Sequence, residues 1–215
     1  MVCGKCKSFL QSKVDNLNLF ATLWGLIESP RPTFKRIVLS HHKNYVFLLS
    51  SLGGISLAYM LFWFKNIGSL FSNVLAILGT GLIIGPPLGI LFVLGFSYIV
   101  LRISRAIGGI ATLWNTFAVV AYAGAPIILA LVFVFPIKIA LFGQDFFGTN
   151  PPPIVIKPVV YVALLGFDLI AVVWTWLLLF EGTMVANGFT PIKSVFVTGS
   201  LLTLTGVCAV ALGYV

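Results

Sequence analysis

With 60% of its 215 residues hydrophobic and only 8% charged, the chain falls far below the charged fraction of about one quarter typical of soluble domains. The apolar residues run in long uncharged blocks and do not alternate with polar ones at helix or strand spacing, which excludes an ordinary water-soluble core. The net charge of +8 is spread along segment flanks; nucleic-acid binding would need a basic patch on a folded soluble module.

Residues 1–44 are expected to form a cytoplasmic amphipathic and basic head, too short and too poor in core residues to fold alone. Near its start, Cys3 and Cys6 are spaced like one knuckle of a zinc ribbon. Structural zinc sites take four ligands, so the pair supplies half, and the adjacent His41 and His42 lack the spacing to complete it. A free dithiol is the simpler reading; no cofactor is expected, zinc being the single one the residues leave open. Leu17, Phe20, Trp24 and Ile27 then recur at three- and four-residue spacing, widened by Leu19, Leu23 and Leu26, which predicts an interfacial helix. Ser29-Pro30 predicts a second start, with Ser29 as N-cap, leading into Phe34, Ile37 and Val38. Arg31, Lys35, Arg36 and Lys43 flank this segment. Near an anionic lipid surface each contributes about 1 kcal/mol, so they either anchor the head or simply set topology. No cleavable signal peptide is expected, because no uninterrupted apolar stretch precedes Tyr45.

The remainder, residues 45–215, is expected to be a transmembrane domain of five helices at about 45–64, 70–101, 112–136, 158–180 and 194–215. A hydrocarbon core about 30 Å thick is crossed by about 20 helical residues, and each uncharged run supplies that. The longest run, Asn66 to Leu101, is too short for two full crossings and a turn, so it predicts one long helix from about Leu70, broken or kinked at Gly85-Pro86-Pro87, with a re-entrant pair of half-helices as the alternative. Gly81, Gly85 and Gly89 form a small-residue stripe for close helix approach, either within the bundle or between two copies. Lys138 to Lys157, with three consecutive prolines at 151–153, is expected to be an extended non-helical loop on the outer face. Its Phe142, Phe146 and Phe147 are expected to anchor at the headgroups. Cys208 falls in the last apolar run, so no disulfide framework is expected.

Ten of the thirteen basic residues fall on the side that holds the amino terminus, and Lys65, Lys138 and Lys157 on the other. Positive flanks resist translocation, which puts the amino terminus in the cytoplasm and, after five crossings, the carboxyl terminus outside.

Three stretches carry a family resemblance. They are the proline-punctuated entry from Gly25 through Pro30 and Pro32 to Val38; Gly108-Gly109 to Trp114 followed by Ala121-Tyr122 to Pro126; and Trp174, Trp176 and Gly182 with the turn through Lys193 and Ser194. In this order and spacing the chain resembles the Yip1 family of five-span membrane proteins, across roughly residues 25–215. The resemblance implies an all-α membrane bundle. For eukaryotic relatives it implies adaptors that bind small Rab-type GTPases in vesicle transport. The long amino-terminal extension with its aromatic Gly-Pro motif is missing here, so the chain looks more like a compact bacterial member of the inner (cytoplasmic) membrane.

Asp168 stands at the middle of the fourth run, where a carboxylate costs about 2.5–3.5 kcal/mol even on insertion scales. It is expected to face the interior, either protonated or hydrogen-bonded to polar groups such as Asn115, Tyr122, Ser97 or Tyr98, and no Lys or Arg is expected deep in a span to pair with it. A structural anchor between helices is the simpler reading; a proton or cation relay is the functional one. No Walker A loop, Gly-x-Ser-x-Gly elbow, His-Glu-x-x-His pair or dinucleotide fingerprint occurs, and a single deep carboxylate makes a poor catalytic set. The sequence therefore predicts a non-enzymatic scaffold or adaptor that recruits or stabilises a protein partner, or assembles with itself. The competing reading is a small transporter, a channel, or an accessory subunit of a transport complex.

Overall fold

A computed structural model describes residues 16–214. Among them, regular structure is helical throughout, so the chain is an all-α membrane protein. Two short helices, α1 (Leu19–Glu28) and α2 (Pro30–Leu39), precede the long ones. Asn18 caps α1 by accepting from the Ala21 amide at 3.2 Å. Pro30 occupies the first position of α2, where its missing N–H costs nothing, but the Ser29 side chain forms no cap; instead the Thr33 hydroxyl donates to the Ser29 carbonyl at 2.9 Å.

The bundle itself comprises α3 (Val46–Phe64), α4 (Val74–Ala106), a bent segment of α5 (Leu113–Ala123), α6 (Ala125–Phe133) and α7 (Phe135–Phe142), then a single turn α8 (Pro153–Ile156), α9 (Pro158–Asn187) and α10 (Pro191–Tyr214). Pro126 and Pro136 each stand second in their helix, because a ring without an N–H restarts a helix more easily than it continues one. Four segments among the described residues are long and apolar enough to cross a membrane: Val46–Phe64, Val74–Ala106, Leu113–Phe147 and Pro158–Asn187. At 1.5 Å per residue, the 33 residues of α4 measure about 50 Å and the 30 of α9 about 45 Å.

α4 is the single long helix expected of the longest run. It begins at Val74 after a short 3-10 turn over Ile67–Leu70, and it continues through Gly85, Pro86 and Pro87 without interruption. The glycine stripe of α4 lies flush on α3. A Cβ on Gly85 would come within 2.6 Å of the Ile55 backbone, one on Gly89 within 2.1 Å of the Ser50 carbonyl oxygen, and one on Gly54 within 2.1 Å of the Gly85 carbonyl oxygen. Gly81 receives the Tyr59 ring, whose hydroxyl donates to the Leu78 carbonyl at 2.8 Å. The stripe is therefore an internal seam, and of the two uses it allowed, packing within one chain is the one seen.

Buried side chains gather at the two ends of the bundle. One cluster joins Leu26, Phe34 and Ile37 of the head to Phe117, Tyr122, Leu178 and Val197. The other joins Ile55, Tyr59 and Ile77 to Phe142, Phe146, Phe147 and Tyr161. This second cluster corrects the reading of the 138–157 segment. It is largely helical, with a 3-10 turn over Gly143–Phe147, and its three phenylalanines are core residues and not headgroup anchors. Gln144 fastens the turn by donating to the Gly68 and Phe71 carbonyls, each at 2.8 Å. Tyr59, Trp63, Phe135, Phe146 and Phe147 form one connected set of ring contacts, and burial against one another outweighs their interfacial preference.

Candidate functional site

The deep carboxylate has a cationic partner. Lys138, in α7, forms an ion pair with Asp168 in α9, which overturns the expectation that no basic residue lies deep enough to meet it. Lys138 ends an uncharged run and so reads as a flank, yet the bend at Phe135-Pro136 turns α7 inward and carries the ammonium under the aromatic cluster. The Lys138 side chain is 7% exposed and its charge lies 5.3 Å from the centroid of the Phe146 ring, whereas the Asp168 side chain is 37% exposed. Two opposite charges in one low-dielectric site stabilise each other, which makes the acid tolerable there.

This pair forms part of the wall of a cavity of about 310 Å³ between α3, α6, α7 and α9. Tyr59, Trp63, Phe135 and Leu165 supply apolar wall, and the Trp63 indole N–H donates to the Tyr161 hydroxyl at 3.1 Å. The mouth is bordered by Met60, Leu169 and Val172, exposed apolar side chains of α3 and α9. A shallower apolar groove of about 320 Å³ runs between α6 and α9 beside Trp174.

The other polar residues anticipated around Asp168 lie elsewhere. The Tyr122 hydroxyl donates to the Asn44 carbonyl at 2.7 Å, and Asn115 occupies the first turn of α5, its amide capped by the Thr112 hydroxyl at 3.2 Å. Ser97 donates to the Val93 carbonyl of its own helix at 2.6 Å, and Tyr98 faces outward beneath Arg102. Cys3 and Cys6 lie outside the described residues. His41 and His42 contact each other at 3.2 Å, and among the described residues no three His, Cys, Asp or Glu side chains converge as a metal site would require.

The opposite end of the bundle gathers the basic residues of the head. Phe34 of α2 packs against Gly182 of α9, where a Cβ would come 3.0 Å from its ring and 2.5 Å from Val119. Beside it, Arg31 Nε donates to Glu181 at 2.6 Å, and the carboxylate holds the guanidinium above its usual pKa by hydrogen bonding and charge. Lys43 folds back to donate to the Ile37 and Val38 carbonyls at 3.1 and 3.2 Å, closing α2; its partial burial lowers its pKa below 10.5. Of the four basic residues expected at the lipid surface, Arg31 and Lys43 are thus committed to the fold, whereas Lys35 and Arg36 point outward.

The turns at this end are locked together by polar contacts. The Asn187 carboxamide accepts from the Ala111 amide at 3.2 Å and donates to Thr183 at 3.0 Å, and it lies so close to Gly109 that a Cβ there would come within 2.4 Å. Ser194 donates to the Phe180 carbonyl at 2.7 Å and lies 2.9 Å from the Thr183 hydroxyl, while Lys193 donates to the Ile107 carbonyl at 3.1 Å. The prolines and Phe34 of the entry, the Gly108-Gly109 turn, and Gly182 with Lys193 and Ser194 meet in this one region, although they are separated by up to some 160 positions in the chain.

No curated protein and no solved structure matches the chain. A family model, the Yip1 domain, matches residues 24–213, which begin at the head helix α1 and take in every crossing described above. This integral membrane protein, with its head helices docked on one end of an all-α bundle, belongs to the Yip1 family.

Proposed function

We propose that this Yip1-family chain is a non-enzymatic membrane scaffold, which recruits or stabilises protein partners through the basic surface of α2 and the adjoining turns. One observation carries this reading: α2 is fixed to the bundle by Phe34 at Gly182 and by Arg31 at Glu181, so that Lys35 and Arg36 are held outward on a rigid mount. Preorganised charge lowers the ordering cost of binding and favours an acidic partner surface. The Yip1 family is not a known enzyme family. The proposal includes the cytoplasmic membrane as location, with this end inside, because positive flanks resist translocation. Affinity capture of the full chain in mild detergent is expected to yield a stoichiometric partner. The double charge reversal K35E/R36E should lower that recovery about tenfold with unchanged thermal stability. Repeated recovery of the wild-type chain alone would overturn the proposal.

Transport is the second reading, favoured by the cavity that holds Lys138 and Asp168. Its test is proton flux into proteoliposomes carrying an entrapped pH dye under an imposed potential. A wild-type flux abolished by D168N supports it, and no flux in either protein removes it.

A further inference from the structure

We infer that the cavity beside Lys138 and Asp168 binds an uncharged lipid alcohol, a linear or isoprenoid chain with one hydroxyl, that enters sideways from the bilayer. The volume of about 310 Å³ lies at the lower end of the range of about 300–1,000 Å³ of small-ligand pockets. The walls, Tyr59, Trp63, Phe135 and Leu165 among them, suit a hydrocarbon chain. Because the mouth is bordered by exposed apolar side chains, it faces the environment those side chains require, which is lipid.

The polar wall selects the head. Lys138 is covered and directed at Asp168 Oδ2 and the Phe146 ring, so the more accessible member of the pair is the acid. Among the described residues Asp168 accepts a hydrogen bond from Lys138 alone, through Oδ2, and as a lining residue of the cavity it keeps further acceptor capacity. The accessible carboxylate favours a ligand that brings a donor, and a hydroxyl can also accept from the Lys138 ammonium, which lines the same cavity. The ion pair is neutral as a unit, so an ammonium or carboxylate ligand would leave a net charge in a low-dielectric site, and a carboxylate would also meet Asp168 head on. A hydroxyl donates without adding charge, and a hydrogen bond to an ionised acceptor is stronger than one between neutral groups.

The experiment uses the full chain in nanodiscs with a dodecanol that carries a diazirine in its chain, the labelled residues being mapped by mass spectrometry. Labelling is expected on cavity residues such as Met60 and Leu165, with dodecanol competing at about tenfold lower concentration than dodecyl methyl ether, which has no donor. Farnesol run beside dodecanol separates the isoprenoid from the linear chain. In K138M/D168L, where apolar residues replace the pair, labelling should persist while alcohol and ether compete equally. The inference is overturned by labelling outside the cavity, by equal competition in the wild type, or by dodecylammonium or dodecanoate outcompeting dodecanol. Survival of the alcohol preference in the double variant overturns it too. Should that variant fail to fold, the wild-type comparison of alcohol with ether decides alone. The measurement involves neither a protein partner nor flux, so its outcome is separate from both readings of function.

Discussion

A lysine at the end of an uncharged run and an aspartate in the middle of the next run invite separate explanations, and here they share one. Removing either alone strands a charge: K138M or D168N should each destabilise the purified protein by about 3 kcal/mol, the lower end for a broken buried pair because Asp168 is partly exposed. K138M/D168L should recover most of that loss, as read by thermal unfolding in detergent. The deep carboxylate was legible in the sequence as a group needing a partner. The partner was not, because Lys138 lies 30 positions away and looks like a flank until Pro136 bends the chain. The signal that was present is the clustering of Phe133, Phe135, Phe142 and Phe146 around a lone lysine, a poor composition for a water-exposed flank. Lys43 offers a second test at this scale. Burial lowers its folded pKa below 10.5, so the charged form opposes folding, and that penalty fades as pH rises from the lowered value through 10.5. Wild-type thermal stability should therefore improve relative to K43M across that window; a constant difference would show that the ammonium is not desolvated there.

Among the helices, the glycines of α3 and α4 divide into two classes that helix patterns alone do not distinguish. Gly54, Gly85 and Gly89 face each other across the seam, whereas a Cβ on Gly53, Gly79 or Gly95 would have no neighbour within 4 Å. G54A and G89A should each cost about 1–3 kcal/mol by overpacking, and more if the helices separate. G53A, G79A and G95A should be neutral or stabilise by up to about 1 kcal/mol, the ordinary helix preference for alanine. Uniform losses at all five positions, measured by unfolding in one detergent, would contradict the seam. The stripe was readable from its four-residue spacing, but its partner helix was not. The aromatic segment at 142–147 went the other way: composition suggested an interfacial loop, and tertiary burial made it core, since rings that can contact one another across three elements gain more from packing than from the headgroup layer.

For the molecule as a whole, the order of crossings came through from the sequence because a thirty-ångström apolar slab imposes a length that composition reports directly. The attachment of the head did not, because it depends on Phe34 meeting Gly182, a contact that neither residue announces. F34A should cost about 3–5 kcal/mol and increase protease cleavage between α2 and α3; unchanged cleavage would mean that α2 is held by other contacts. The number of crossings has its own test. If α10, 24 residues in length, makes the fifth crossing expected of it, single cysteines placed before α1 and after α10 in a chain whose Cys3, Cys6 and Cys208 are replaced should react with an impermeant thiol reagent from opposite sides of the membrane. Reaction from the same side would demand an even number.

The reach of α4 adds a mechanical consequence. A rod of about 50 Å in a hydrocarbon layer of about 30 Å has to lean steeply or stand proud of it. Its glycine seam clamps it to the much shorter α3 over Gly54, so α4 runs on past the start of α3 as several turns that bear Arg102 and Arg105 on one face and pack Val100 and Leu101 on the other. A partner gripping those turns would have a lever running through the bilayer to the turn at Val74, on the far side.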